Sequence, residues 1–305
     1  MRKVLGRLFG EKEAPPAGQL SRIMHLPEDF RSPSRMAVYS GPAEEDAWPA
    51  LYLARMIERT YGETDLSIIC RSTDGWLFDM LHWKPRIVPY DVRPSLDALP
   101  EGSAFDEGTI LFHPYLSLDP AAVALISSSG AGIRVSPAVE GHPCLSIQIR
   151  TGTDIYPTVI HRMCASLGLE YDEAWKPMIP RQVQDRVSAL MAPVSGRALP
   201  YIAATARAVV ILEKSRAEIP LRTITIAGKN SDMAVQDRET RVAVIAGASA
   251  VITDSTVLWA DARALGVPAA GLDPSGAFMS WTGDAPSRTE KEFVEAWEQL
   301  LRRGW

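Results

Sequence analysis

The sequence predicts an α/β protein built on parallel sheets. Short apolar runs such as Met36–Ser40, Leu66–Cys70 and Ala250–Thr253 alternate with amphipathic segments of helical length, the pattern of repeated strand–helix–strand units. Strands alternating with helices of this length point to parallel units rather than to a sandwich. With 305 residues, 46% hydrophobic and 23% charged, the chain has material for two domains with separate cores.

Residues 10–34, punctuated by Gly10, Pro15, Pro16, Gly18 and Pro33, read as a lead-in. The first strand, Met36–Ser40, runs into a turn, Gly41-Pro42-Ala43-Glu44-Glu45-Asp46, and a helix over Ala47–Tyr61. Pro49 fits that helix because first-turn N–H groups have no intrahelical acceptors. A strand (Leu66–Cys70), a short helix (Asp74–Trp83) and a strand (Arg86–Pro89) follow, then an irregular stretch over 91–108. Thr109–Pro114 reads as a strand, Pro120–Ser127 as a helix, and Ile133–Ser136 and Cys144–Ile149 as strands. The helix Asp154–Leu167 stops at Gly168, a suitable C-cap. Prolines 177, 180 and 193 surround a polar helix, Arg181–Met191, in what reads as an interdomain connection over 171–197. The second domain, 198–288, is expected to hold a strand at Leu199–Ala204, a helix at Arg207–Ala217 and a strand at Leu221–Ala227. Asp237–Ala246 then reads as a helix, Ala250–Thr253 as a strand, Val257–Leu265 as a helix and Ala269–Leu272 as a strand. The chain closes with the amphipathic helix Thr289–Arg303.

The net charge of −5 speaks against a nucleic-acid partner. Cys70, Cys144 and Cys164 lack metal-ligand or disulfide spacing and read as buried free thiols, which fits a reducing cytoplasm. The histidines show no ligand spacing, so no metal is expected. No GxGxxG follows the first strand, no P-loop or GxSxG is present, and no cofactor is implied. Met1–Phe9 is basic and apolar but too short for a secretory core. Residues 1–12 read either as a peripheral contact with the inner face of a membrane or as a frayed terminus. Trp48, Trp76, Trp83 and Trp259 fall on helix faces and are expected in the core.

One turn is suited to an anion. At Asp254-Ser255-Thr256 a buried strand enters a helix, whose first N–H groups and dipole favour a phosphate. The alternative is simple capping by Asp254 or Ser255. Asp46, at the carboxyl end of the first strand, stands where open α/β sheets place their sites. It reads either as a general base or as a helix cap, and Glu44 and Glu45 crowd it, which raises the proton affinity of at least one of the three. His113 ends a strand and faces the same side or sits as a core histidine.

The segment Arg241–Ser255, followed by Ala264-Leu-Gly-Val-Pro268, resembles the donor-domain signature of GT-B nucleotide-sugar enzymes, the heptosyltransferases of glycosyltransferase family 9 in particular. Ile226-Ala-Gly-Lys-Asn-Ser231 is similar to a short Ala-Gly-Lys-Thr-Ser segment of that family. Glu45–Tyr61, Phe105-Asp106, His113-Pro114 and Gly132-Ile-Arg134 follow the family's first half in order and spacing. The resemblance spans roughly residues 36 to 275. It departs in three places: Thr256-Val257 replaces Gly-Pro, Pro200–Arg207 replaces a His-Pro-Gly loop, and one strand–helix unit is missing between 217 and 226.

The resemblance implies two Rossmann-like domains facing across a cleft, the second reduced. It implies a nucleotide-sugar donor on the second domain, held by Asp254, Ser255, Thr256, Lys229, Thr205 and Arg207. A glycan or lipid-linked acceptor would lie on the first, touched by His113 and Arg134, with Asp46 as base and no essential metal. Two alternatives stand beside it: a non-catalytic descendant serving as a binding or scaffolding protein, and a nucleotide-sugar epimerase, which the Asp254–Pro268 spacing also resembles.

Overall fold

A computed structural model of the chain describes residues 33, 35–90, 105–137, 142–156, 158–195, 200–227, 237–276 and 286–304. Lys229 and the 1–12 segment lie outside them.

Strands β1 (Arg35–Tyr39), β2 (Asp65–Arg71), β3 (Arg86–Tyr90), β4 (Thr109–Phe112), β5 (Ile133–Ser136) and β6 (Ile147–Gln148) form the first sheet. Their order is β3-β2-β1-β4-β5-β6 with every pair parallel, the doubly wound order in which direction reverses between β1 and β4. β4 is buried along its whole length and β1 beyond Arg35, as the continuous apolar runs require. The second sheet joins β7 (Tyr201–Thr205), β8 (Arg222–Ala227), β9 (Ala250–Thr253) and β10 (Ala269–Gly271) in the parallel order β10-β9-β7-β8. Its reversal lies between β7 and β9. Only Ser215 to Leu221 separate the helix after β7 from β8, so the second domain is reduced as expected.

Helices α1 (Ala47–Tyr61), α2 (Pro120–Ser128), α3 (Thr158–Leu167), α4 (Arg181–Ser195), α5 (Ala206–Lys214), α6 (Arg238–Ala246), α7 (Thr256–Ala264) and α8 (Glu290–Arg303) fill the connections. Local chemistry sets their ends. Asp119 accepts the Ala122 N–H and Pro120 opens α2. A reciprocal capping box between Thr289 and Glu292 starts α8, and Gly62 and Gly168 end α1 and α3 at positive φ.

Three expectations need correction. The Asp74–Trp83 helix is a 3₁₀ turn over Gly75–Met80, and Trp83 beyond it is 48% exposed, although Trp48 and Trp259 are core. The predicted strand Cys144–Ile149 shrinks to Ile147–Gln148, because Leu145 instead closes a turn onto the His142 carbonyl. The helix expected from Asp154 begins at Thr158, its lead-in held by Thr153, whose hydroxyl accepts the Ile155 N–H.

The halves are joined through α1, α6 and α7. Trp48 Nε1 donates to Asp261 Oδ1 at 2.8 Å and the Tyr52 hydroxyl donates to the Ala264 carbonyl at 2.9 Å. Around them runs a buried ionic network. Arg238 meets Asp74 at 2.7 Å and Asp261 at 3.6 Å, while Arg241 pairs with Glu44 and, at 3.5 Å, with Asp261. One hydrophobic cluster spans both sheets.

Candidate functional site

The carboxyl ends of β1 and β4 part at the reversal of the first sheet, and a cavity of about 160 Å³ opens there. Tyr39 ends β1, Asp46 closes the turn after it, His113 and Tyr115 follow β4, and Asp119 and Tyr156 complete the wall. Sequence reading singled out Asp46 and His113 but missed the tyrosines and Asp119. Their signal was position: Tyr39 and Tyr115 stand at or just beyond strand ends on the same edge.

Asp46 does not cap α1. Its backbone is already helical, no capping hydrogen bond forms, and its carboxylate accepts the Ala43 N–H at 2.9 Å across its own turn. Tyr115 clamps that turn at both ends: its hydroxyl accepts the Gly41 N–H at 2.9 Å and donates to the Asp46 carbonyl. Burial pushes the Asp46 carboxyl up to about 7, opposed by the Ala43 N–H and by Arg238 and reinforced by Glu45 and Asp119. The group therefore exchanges its proton near neutrality, the range suited to a general base. Glu44 points elsewhere. It is paired with Arg241, which outweighs burial and holds it below the usual carboxylate range.

His113 stacks on Tyr39 with ring centroids 5.6 Å apart, and its Nδ1 lies 3.1 Å from Ser136 Oγ. Burial pushes it down to about 4, so it is an uncharged hydrogen-bonding group at neutral pH. Arg134 is not brought to this cavity. Its guanidinium donates to the carbonyls of Ala131 and Cys144.

Gly41 explains the tightness of the turn. A Cβ there would collide with the Asp46 carboxylate. Gly41→Ala is expected to cost about 1–3 kcal/mol, as overpacking does, and less than half of that in an Asp46→Ala background. Urea denaturation of the two single variants and the double would measure this; fully additive costs would show that the side-chain collision is not the cause.

The second reversal point holds the other predicted residues. Thr205 ends β7 and Asp254 follows β9, and the Asp254 N–H donates to Thr205 Oγ1 at 3.3 Å. Arg207 reaches the Asp254 carboxylate at 3.6 Å while remaining mostly exposed. Ser255 is the N-cap of α7, accepting the Leu258 N–H, and Thr256 opens the helix. Thr205, Arg207, Asp254, Ser255 and Thr256 thus converge, with the Ser255 hydroxyl oxygen accepting in the cap and its O–H left to donate. Lys229 lies outside the described residues.

No protein-family model and no curated protein matches the chain. Solved structures do. The E. coli heptosyltransferase WaaC with ADP-2-deoxy-2-fluoro heptose superposes with a TM-score of 0.60 at 12% identity, covering 88% of this chain and 99% of that one. A glycosyltransferase family 9 structure from Veillonella parvula DSM 2008 gives 0.63 at 11% identity over 93% and 100%. The E. coli ADP-heptose lps heptosyltransferase II gives 0.56 at 12% over 88% and 99%. Likeness at this identity speaks to architecture, and it agrees with the two parallel sheets and their reversal points: the chain has the GT-B fold of the heptosyltransferase structures.

Proposed function

We propose that the protein is a glycosyltransferase moving a sugar from a nucleotide-diphosphate donor to a hydroxyl of an envelope or polysaccharide acceptor. One observation carries this reading: a partly buried carboxylate that titrates near neutrality lies in a cavity at the reversal point of one sheet, and an anion-suited strand–helix turn lies at the reversal point of the other. Asp46 takes the proton of the acceptor hydroxyl as its oxygen attacks the anomeric carbon, while the bond from that carbon to the diphosphate breaks. Thr205, Arg207 and the start of α7 stabilise the charge gathering on the departing diphosphate.

Two of the similar structures are described with ADP or an ADP-sugar analogue, so ADP heads the panel of nucleotide diphosphates to try. A ligand present at 100 times its Kd stabilises the folded state by about 2.7 kcal/mol, a melting shift of roughly 4 °C for a chain of this size. Arg207→Ala should cut that shift. No shift with any nucleotide at millimolar concentration would favour the second reading, a non-catalytic scaffold. Supporting that second reading is the Arg207 guanidinium, which is paired with Asp254.

A further inference from the structure

The Asp46 cavity has a marked chemical bias. Its polar lining consists of two carboxylates, Asp46 and Asp119, together with hydroxyls and the ring of His113. No lysine or arginine lines it among the described residues. Arg238, whose field reaches Asp46, is engaged with Asp74 and Asp261 inside the interdomain network, and Arg134 with two backbone carbonyls. Tyr39, Tyr115 and Tyr156 add aromatic rings around the same space. At about 160 Å³ the cavity holds about five waters at roughly 30 Å³ each, room for one small polar ring or substituent.

An anionic ligand entering here would lose hydration and meet two carboxylates beside neutral hydroxyls and an uncharged imidazole, with no cation in the lining to pair it. A protonated amine would gain both carboxylates. We propose that this cavity selects an amine-bearing, cationic sugar and rejects a carboxylate-bearing one, with Asp46 and Asp119 as the specificity-determining residues. This deepens the transferase reading, on which the word acceptor rests. Asp46 then has a double role: the ammonium that it attracts also favours its ionised form, so the bound acceptor itself readies the base.

The test is calorimetric titration of the full-length chain at pH 7 without nucleotide, using D-glucosamine, N-acetyl-D-glucosamine, D-glucose and D-glucuronate. N-acetylation keeps the nitrogen and removes the charge. Glucosamine is expected to bind about tenfold or more tightly than the N-acetyl sugar and glucose, with glucuronate weakest. Asp46→Asn and Asp119→Asn each keep an oxygen for the Ala43 or Ala122 N–H, so both should fold, and each should bring glucosamine down to the level of glucose. Glucuronate binding as tightly as glucosamine, no binding by any of the four at millimolar concentration, or a preference surviving both substitutions would overturn the proposal. Because nucleotide is absent, these outcomes are independent of the diphosphate panel: nucleotide binding without glucosamine binding removes the cationic preference alone, and the converse removes the transferase reading alone.

Discussion

Replacing Arg238 by methionine is expected to lower the free energy of unfolding by about 3–5 kcal/mol, the usual cost of breaking a buried ion pair from one side. Arg238 is 6% exposed overall, and Asp74 and Asp261 are fully buried. Burial opposes the Arg238 charge, but Asp261 and Asp74 outweigh it and hold its pKa above the ordinary value. Without the guanidinium the two acids fare differently. Asp261 keeps the Trp48 N–H at 2.8 Å and Arg241 at 3.5 Å. Among the described residues Asp74 keeps a long contact with Arg71 at 3.7 Å and a weak bond from the Thr73 hydroxyl at 3.4 Å. Most of the loss therefore comes from stranding Asp74, and a double variant, Arg238→Met with Asp74→Leu, should recover much of it. The exposed pair Arg59–Asp172, at 2.6 Å, provides the contrast: Arg59→Ala should cost under about 1 kcal/mol. Urea denaturation measures all three. A loss below about 1 kcal/mol for Arg238→Met would mean that water already solvates the network.

This network marks the limit of what the sequence alone discloses. The order of strands and helices was legible because parallel, doubly covered strands leave continuous apolar runs, and because Pro120, Gly168 and Thr289 announce helix ends locally. The two turns that begin the sites were legible for a similar reason, since strand carboxyl ends can be read from order alone. Pairings across the fold were not. The Tyr115 hydroxyl bridges Gly41 and Asp46 over some seventy residues, and Arg238 meets Asp74 over more than twice that separation. No local pattern encodes such contacts, so the capping alternative for Asp46 stayed open until its carboxylate was seen turned to Ala43. At Ser255 the opposite holds: capping is realised, its hydroxyl oxygen accepting the Leu258 N–H.

Asp46→Asn is expected to lower turnover by about 10²–10⁴-fold, the range a positioned general base supplies, while leaving nucleotide binding unchanged. Because burial pushes the Asp46 carboxyl up to about 7 in the free protein, wild-type kcat/KM should rise with pH through that value as the base form fills, and the residual kcat/KM of the variant should lose that limb. Stability should move the other way. The folded chain holds the Asp46 proton more tightly than the unfolded chain, whose carboxyl titrates near 4. Wild-type stability therefore falls as pH rises from about 4 to 7, by at most on the order of 4 kcal/mol. The asparagine still accepts the Ala43 N–H but has no proton to lose, so the variant should match the wild type near pH 4 and exceed it near pH 8. Denaturant midpoints at the two pH values, set beside turnover, separate the roles. Turnover lost with stability gained at pH 8 is what a carboxylate retained for chemistry against its own burial cost must give. Turnover retained, or stability lost equally at both pH values, would make Asp46 a structural residue of the Gly41–Asp46 turn.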